Sequence, residues 1–416
     1  MPQDLTSLRM LAGLPFDTII DVRSPAEYAE DHVPGAMNLP ALSNAERAIV
    51  GTIYKQEDPF KARKTGAAMV ARNAAQHLEG PLAPMPGGWR PLVYCWRGGQ
   101  RSGAFTSILQ QIGWRADVVR GGYKAYRRLV VQALYHQPVT QPIVLIDGGT
   151  GTAKTEILAH LAQIGAQVLD LEGMANHRGS VFGGMGQQPA QKMFESRIAM
   201  ALATCAPDRP LYIEAESYKV GDLLLPPMVW QAMQGAQRLV LQADLPSRAR
   251  YLAQTYTQIT ADAQRLAHTL QALRPYHCAE QVEAWQNMAQ TGQFVPLAEQ
   301  LIAQHYDPRY GKKAASRAQF LAHRYTEITS DAQRLAETLQ ALRPYHSAEQ
   351  LEAWQNMAQT RQFVPLAEQL IAQHYDPRYG KKAASRAPAV ARVNLANMQP
   401  PALQAAAMEI VSITGK

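Results

Sequence analysis

The 416-residue sequence predicts an α/β protein of two domains, the second carrying a duplicated all-α insertion. Three observations carry that expectation. Two apolar runs of strand length, Pro91–Cys95 and Gln141–Asp147, each lead into a glycine-rich turn that opens into a helical pattern. Further strand-and-helix patterns surround both runs, as in open sheets whose sites lie at the strands' C-terminal ends. Finally, Tyr251 to Ala318 recurs almost unchanged as Phe320 to Ala387, at an offset of 69 residues and with nine differences.

Composition sets outer bounds. Hydrophobic residues make up 47%, enough for more than one core, and the net charge of +7 suits RNA or phosphorylated substrates without identifying either. The three cysteines, Cys95, Cys205 and Cys278, are far apart and fit neither a disulfide framework nor a Cys/His metal spacing, so no tightly bound metal is expected. Neither a secretory signal pattern nor a stretch of transmembrane length is present, and a cytoplasmic protein with no membrane partner is expected.

The first domain is expected over residues 1–136. Phe16 to Asp21 reads as a buried strand ending at an acid, and Ser24-Pro25-Ala-Glu27 as a capped helix start. Asp21 is read as ordering Arg23 in preference to acting as a general acid, and His32, before Val-Pro-Gly, as structural. The central stretch is Cys95-Trp96-Arg97-Gly98-Gly99-Gln100-Arg101, between a strand and a helical pattern that begins near Ser102. Backbone amides of such a loop, the helix N-terminus, Arg97 and Arg101 favour an anion and a thiolate. After a strand at Ala116 to Val119 comes Gly121-Gly122-Tyr123-Lys124-Ala-Tyr126-Arg127. These residues, with Asp21-Val-Arg23 and His32-Val-Pro-Gly-Ala, resemble a rhodanese domain, a family that carries sulfur or a related chalcogen on the loop cysteine. The spacing Cys95 to Arg101 also fits the Cys-x5-Arg loop of cysteine phosphatases; both chemistries need a thiolate in an oxyanion cradle.

The second domain is expected over 137–250, completed by a strand and helix within 388–416. Gly148-Gly149-Thr150-Gly151-Thr152-Ala153-Lys154-Thr155 follows the P-loop pattern, except that Ala153 replaces the glycine before the lysine. Lys154 would meet phosphate charge and Thr155 a Mg²⁺ ion; an alanine would crowd the loop if positive φ were needed there. Asp170, Glu172, Glu214 and Glu216 stand at strand ends, where acids commonly hold Mg²⁺ or its waters, and His177-Arg178 reads as substrate contact.

The insertion, 251–387, reads as two units of three helices, 251–318 and 320–387, produced by an accidental tandem duplication between Ser-Arg-Ala matches at Ser247, Ser316 and Ser385. Ser330-x-x-Gln333 and Ser347-x-x-Gln350 are capping boxes in the second copy; Ala261 and Cys278 replace those caps in the first. Each copy ends in a basic tail, with Arg309, Lys312 and Lys313, then Arg378, Lys381 and Lys382, beside tyrosines that could stack on bases.

Taken together, the cysteine loop, the Gly121 to Arg127 stretch, the P-loop and Asp170-Leu-Glu-Gly-Met-Ala-Asn-His-Arg-Gly-Ser180 resemble the tRNA 2-selenouridine synthases, from the start of the chain to about residue 310 and again at the C-terminus. That resemblance implies a rhodanese-like domain followed by a P-loop NTPase-like domain. It further implies a transferase acting on tRNA with 2-thiouridine at the wobble position, with Cys95 as chalcogen carrier. Selenophosphate and geranyl diphosphate would be co-substrates, with Mg²⁺ as a candidate ion, and the sulfur would be replaced by selenium through an S-geranylated intermediate. Gln100, Ala153 and Tyr218 depart from the family pattern. The rival readings are a rhodanese-type sulfurtransferase with a regulatory P-loop domain and a tRNA-binding protein whose catalytic loops have lapsed.

Overall fold

The computed structural model describes residues 2–178, 186–255, 263–310, 347–360 and 389–415. The chain divides into two compact units: Met1–Ile146 with Leu158–Ala236 and Val411–Lys416, and Asp147–Ile157 with Gln237–Ile410.

The elements of the first stretch are α1 (Leu8–Ala12), β1 (Thr18–Asp21), α2 (Pro25–Glu30), β2 (Met37–Asn38), α3 (Asn44–Gln56), α4 (Pro59–Glu79), β3 (Pro91–Tyr94), α5 (Gln100–Ile112), β4 (Asp117–Val118) and α6 (Gly122–Val131). The strands form a parallel sheet in the order β2-β1-β3-β4. Asp21 pairs with Tyr94 in register, so the acid ending β1 and the loop that follows β3 emerge at the same end of the sheet. The capped start at Ser24 is present: Ser24 and Glu27 form a capping box, with Pro25 in the first turn of α2. The helical pair α3 and α4, which the sequence reading passed over, has equally local causes. Ser43 and Glu46 cap α3, Asp58 accepts from the Lys61 amide at the head of α4, and Ala62, Gly66, Val70 and Ala74 form its buried small-residue stripe. Both faces of the sheet are covered. Ile20, Val93, Phe105 and Leu109 sit in one core cluster, and Leu92, Tyr94, Tyr126 and Val130 in another.

The chain continues through a π-helical turn, Gln132–His136, into β5 (Ile143–Gly148), α7 (Lys154–Gln163), β6 (Gln167–Leu169), α8 (Leu171–Ala175), α9 (Gln191–Thr204) and β7 (Leu211–Glu214). A short antiparallel hairpin, β8 (Lys219–Val220) and β9 (Leu223–Leu224), and α10 (Pro227–Gln234) follow. The strands β5, β7 and β6 are parallel neighbours in that order. Their apolar faces and Phe194 and Ile198 of α9 extend the cluster that holds Tyr126 and Val130.

In the second unit β10 (Gln237–Gln242) leads to α11 (Leu245–Thr255), α12 (Ala263–Gln271), α13 (Ala279–Gln290) and α14 (Phe294–Leu301). A π-helical turn, Ile302–Tyr306, then passes into α15 (Asp307–Tyr310). The first copy was expected to supply three helices; its described residues hold α12, α13 and α14, together with the end of α11 and the short α15. Ala249 of α11 packs with Ala298 and Ile302. Cys278 caps α13 by position only, making no side-chain cap bond, whereas Ser347 accepts from the Gln350 amide at the start of α16 (Ala348–Gln359). The other second-copy signals, including Ser330 and Gln333, lie outside the described residues. The expected returning strand is β11 (Ala389–Asn394), parallel to β10, and the closing helix is α17 (Pro400–Thr414). Among the described residues no helix is long and apolar enough to cross a membrane.

Candidate active site

Cys95 is the first residue after β3, and its side chain is buried. Sγ accepts from the Gly99 amide at 3.3 Å and from the Ser102 hydroxyl at 3.2 Å. Burial alone would raise the thiol pKa, but the Ser102 hydroxyl and the amides of Ser102, Gly99 and Arg97 outweigh it and hold the group below its ordinary value. Ser102, fully buried in the first turn of α5, was absent from the sequence-derived site. Its position one residue after Arg101 was the available signal. The other cysteines lack this setting: burial pushes the Cys205 thiol up, and Cys278 is exposed.

Steric need explains the glycine pair at the head of α6. Gly122 has φ +57°, and a Cβ there would lie 2.2 Å from the Cys95 carbonyl oxygen and 2.5 Å from the Gly98 nitrogen. The two loops are also bonded directly, Tyr123 N–H to Cys95 O at 2.8 Å and Lys124 N–H to Trp96 O at 3.0 Å.

Behind the cysteine lies a buried charged network. Arg23 binds Asp21 through both Nε and Nη2, donates to the Asp31 carbonyl, and lies 3.9 Å over the Tyr123 ring. Asp21 thus orders Arg23, as the sequence suggested. Tyr123 donates to Asp31 Oδ2 at 2.7 Å, and Arg127 is shared between Asp31 and Glu195 of α9. His32 bonds the Tyr28 carbonyl through Nδ1 and stacks on the Tyr28 ring, a structural role. Of the two loop arginines, Arg101 turns to Glu27 at 3.0 Å, while Arg97 is exposed at the loop. Trp96 is 37% exposed and packs against the Tyr123 ring.

The phosphate loop follows β5. Thr152 folds back on the Gly149 carbonyl through both its amide and its hydroxyl, and Lys154 Nζ donates to the Gly148 carbonyl at 3.0 Å, so the lysine lies over the loop. Ala153 is 3% exposed with φ +54°. The loop therefore does demand the left-handed conformation that glycine would supply without strain. Asp147, which ends the apolar run, is paired with Arg238.

The acids of the first unit gather at the ends of β6 and β7. Asp170 caps α8 through the Gly173 amide. Glu214 accepts the Glu172 amide at 2.7 Å on one oxygen, while Oε2 is buried and has no hydrogen-bond partner. Burial, with Asp170 and Glu172 nearby, holds the Glu214 carboxyl well above the ordinary carboxylate range. Burial lowers the His177 pKa against the pull of Asp222 and Glu216. Among the described residues no three acidic, histidine or cysteine side chains form a metal cage. Lys312, Lys313, Arg378, Lys381 and Lys382 lie outside the described residues, and Arg309 belongs to α15.

A shielded thiol at the end of a four-stranded parallel sheet, followed in the chain by a phosphate loop between strand and helix, defines a protein that joins a rhodanese-like domain to a P-loop-like one. The profile of the rhodanese-like domain matches residues 6–129, and that of the tRNA 2-selenouridine synthase AAA domain matches residues 141–281. The tRNA 2-selenouridine synthase of Nitrosomonas europaea is 29% identical over 90% of this chain and 90% of its own length. That of Shewanella oneidensis is 32% identical, over 72% of this chain and 86% of the relative. The chain belongs to the tRNA 2-selenouridine synthase family.

Proposed function

We propose that this protein is a tRNA-modifying transferase that replaces the sulfur of wobble 2-thiouridine with selenium. Selenophosphate is the selenium donor. Geranyl diphosphate first alkylates the thiocarbonyl sulfur: a carbon–sulfur bond forms, the prenyl carbon–oxygen bond breaks, and diphosphate leaves. The selenium of selenophosphate then attacks C2, the C2–S bond breaks and geranylthiol departs, and water cleaves the P–Se bond, releasing phosphate and leaving the selenocarbonyl. Cys95 acts at the selenation step, its loop amides holding the selenophosphate oxyanion beside the thiolate while selenium stays at the selenide level, and the loop from Gly148 to Thr155 receives the diphosphate on backbone amides, with Lys154 supplying positive charge. A Mg²⁺ ion arriving with the diphosphate would be held mainly by phosphate oxygens and the Thr155 hydroxyl, the mode expected where protein carboxylates do not form a cage.

The observation that carries this reading is the buried Cys95 sulfur, held by two hydrogen-bond donors at the loop that follows β3. Family membership supplies the tRNA substrate class. The test is mass spectrometry of wobble nucleosides after incubation of 2-thiouridine tRNA with the protein, selenophosphate and geranyl diphosphate. Wild type should yield 2-selenouridine, and Cys95→Ser should bind tRNA but yield none. Full selenation by Cys95→Ser would remove the cysteine from the mechanism. Lys154→Ala should block geranylation and spare selenation of pre-geranylated tRNA; equal loss of both steps would refute the diphosphate role.

A further inference from the structure

Arg248, on α11, is 8% exposed and belongs to neither of the sites inferred from sequence. Its guanidinium is held on two edges. Nε donates to the Thr150 carbonyl of the phosphate loop at 2.8 Å, while Nη1 and Nη2 bind the two oxygens of Asp307 at 3.0 and 2.7 Å. The loop accommodates this residue closely. A Cβ at Gly149 would stand 2.6 Å from Nη2, and one at Gly151 would stand 2.9 Å from the Arg248 carbonyl oxygen. Asp307 opens α15, in the Tyr-Asp-Pro-Arg-Tyr tail of the first repeat copy. A buried guanidinium stripped of its carboxylate would be a costly uncompensated charge, so the position of Arg248 depends on Asp307. A planar fork bound on two edges also fixes orientation in a way a point charge does not.

We propose that Arg248 and Asp307 form a brace that positions the phosphate loop, so that the tail of the first repeat copy sets the loop's geometry and its affinity for a diphosphate. Arg248 and Asp307 are positioning residues: they reach the ligand through the backbone at Gly149 to Gly151. The identical tail in the second copy carries Asp376, which supplies an internal control. The affinity part rests on the reading of the loop as a diphosphate site; the geometric part does not.

The test compares full-length wild type with Asp307→Asn, Asp376→Asn and Arg248→Lys. The first readout is hydrogen exchange of peptides covering residues 148–155, measured by mass spectrometry without ligand. The second is the affinity for inorganic pyrophosphate by titration calorimetry. Asp307→Asn should speed exchange in that loop, leave the four-stranded sheet of the first unit unchanged, and weaken pyrophosphate about tenfold, within the range of coupling inside one hydrogen-bond network. Asp376→Asn should match wild type in both readouts. Arg248→Lys keeps the charge but loses the fork, and should follow Asp307→Asn; it decides the matter if Asp307→Asn does not fold. A lowered melting temperature with unchanged loop exchange would overturn the brace, as would equal effects of the two asparagine substitutions. Failure of wild type to bind pyrophosphate would instead overturn the diphosphate reading, and loop exchange would still decide the brace.

Discussion

Gly122→Ala tests whether the cysteine loop is set by its close approach to the head of α6. The added Cβ would lie 2.2 Å from the Cys95 carbonyl oxygen, so the two loops must part by roughly 1 Å to restore ordinary contact. Both near atoms are backbone, and no side-chain rotation relieves them. The left-handed conformation costs an alanine about 1–2 kcal/mol, and overpacking adds roughly 1–3 kcal/mol. Reduced entropy of the unfolded chain returns about 0.4–1 kcal/mol. The net expectation is a loss of about 1–5 kcal/mol, or on the order of 10 °C in melting temperature. The displacement pulls on the Tyr123 to Cys95 hydrogen bond, so Cys95 should also alkylate more slowly with iodoacetamide at neutral pH. Gly103→Ala is the matched control. That glycine lies inside α5 with nothing within 4 Å of a built Cβ, and alanine there should stabilise by up to about 1 kcal/mol. Wild-type melting and wild-type alkylation in Gly122→Ala would refute the reasoning.

Three further outcomes are expected. Ser102→Ala should shift the pH profile of Cys95 alkylation upward, because it removes a donor that lowers the thiol pKa; an unchanged profile would show that the backbone amides suffice. Glu214 has a folded pKa raised above its unfolded value, so its contribution is fully present below the unfolded pKa, near ~4.3, and is lost as pH rises toward the folded one. Glu214→Gln should therefore equal wild type in acid and exceed it in thermal stability at pH 8, and a variant less stable at pH 8 would contradict this. Deleting residues 319–387 joins Ala318 to Pro388, restores Ser-Arg-Ala-Pro-Ala, and leaves Asp307 for Arg248. That shortened protein should be soluble and active on tRNA, and a loss of tRNA affinity beyond about tenfold would assign the second copy a role of its own.

The sequence by itself determined what depends on neighbours a few residues apart. Ser24-Pro25-Ala-Glu27 specified the start of α2 because a capping box closes within one turn. Asp21-Val-Arg23 was legible as a pair for the same reason. The strand before Cys95, the strand before Gly148 and the repeat could all be read from periodicity, and Ala153 from its place in a pattern whose backbone demand is local. Even α3 and α4 had their signals in Ser43, Glu46, Asp58 and Pro59, though these pointed to no site.

Only the tertiary structure decided which distant groups meet. Tyr123 and Asp31 are 92 positions apart, and Arg248 and Asp307 are 59. Nothing in the identical Tyr-Asp-Pro-Arg tails tells Asp307 from Asp376; packing of α11 against α14 brings one carboxylate to the arginine. Likewise Arg101, whose spacing from Cys95 suggested an anion ligand, is drawn to Glu27 by the placement of α2 beside the loop. The physical reason is range. Dihedral preference, capping and turn chemistry act over a few residues, whereas the partner of a buried charge follows from how whole elements pack, where an unpaired group costs several kcal/mol.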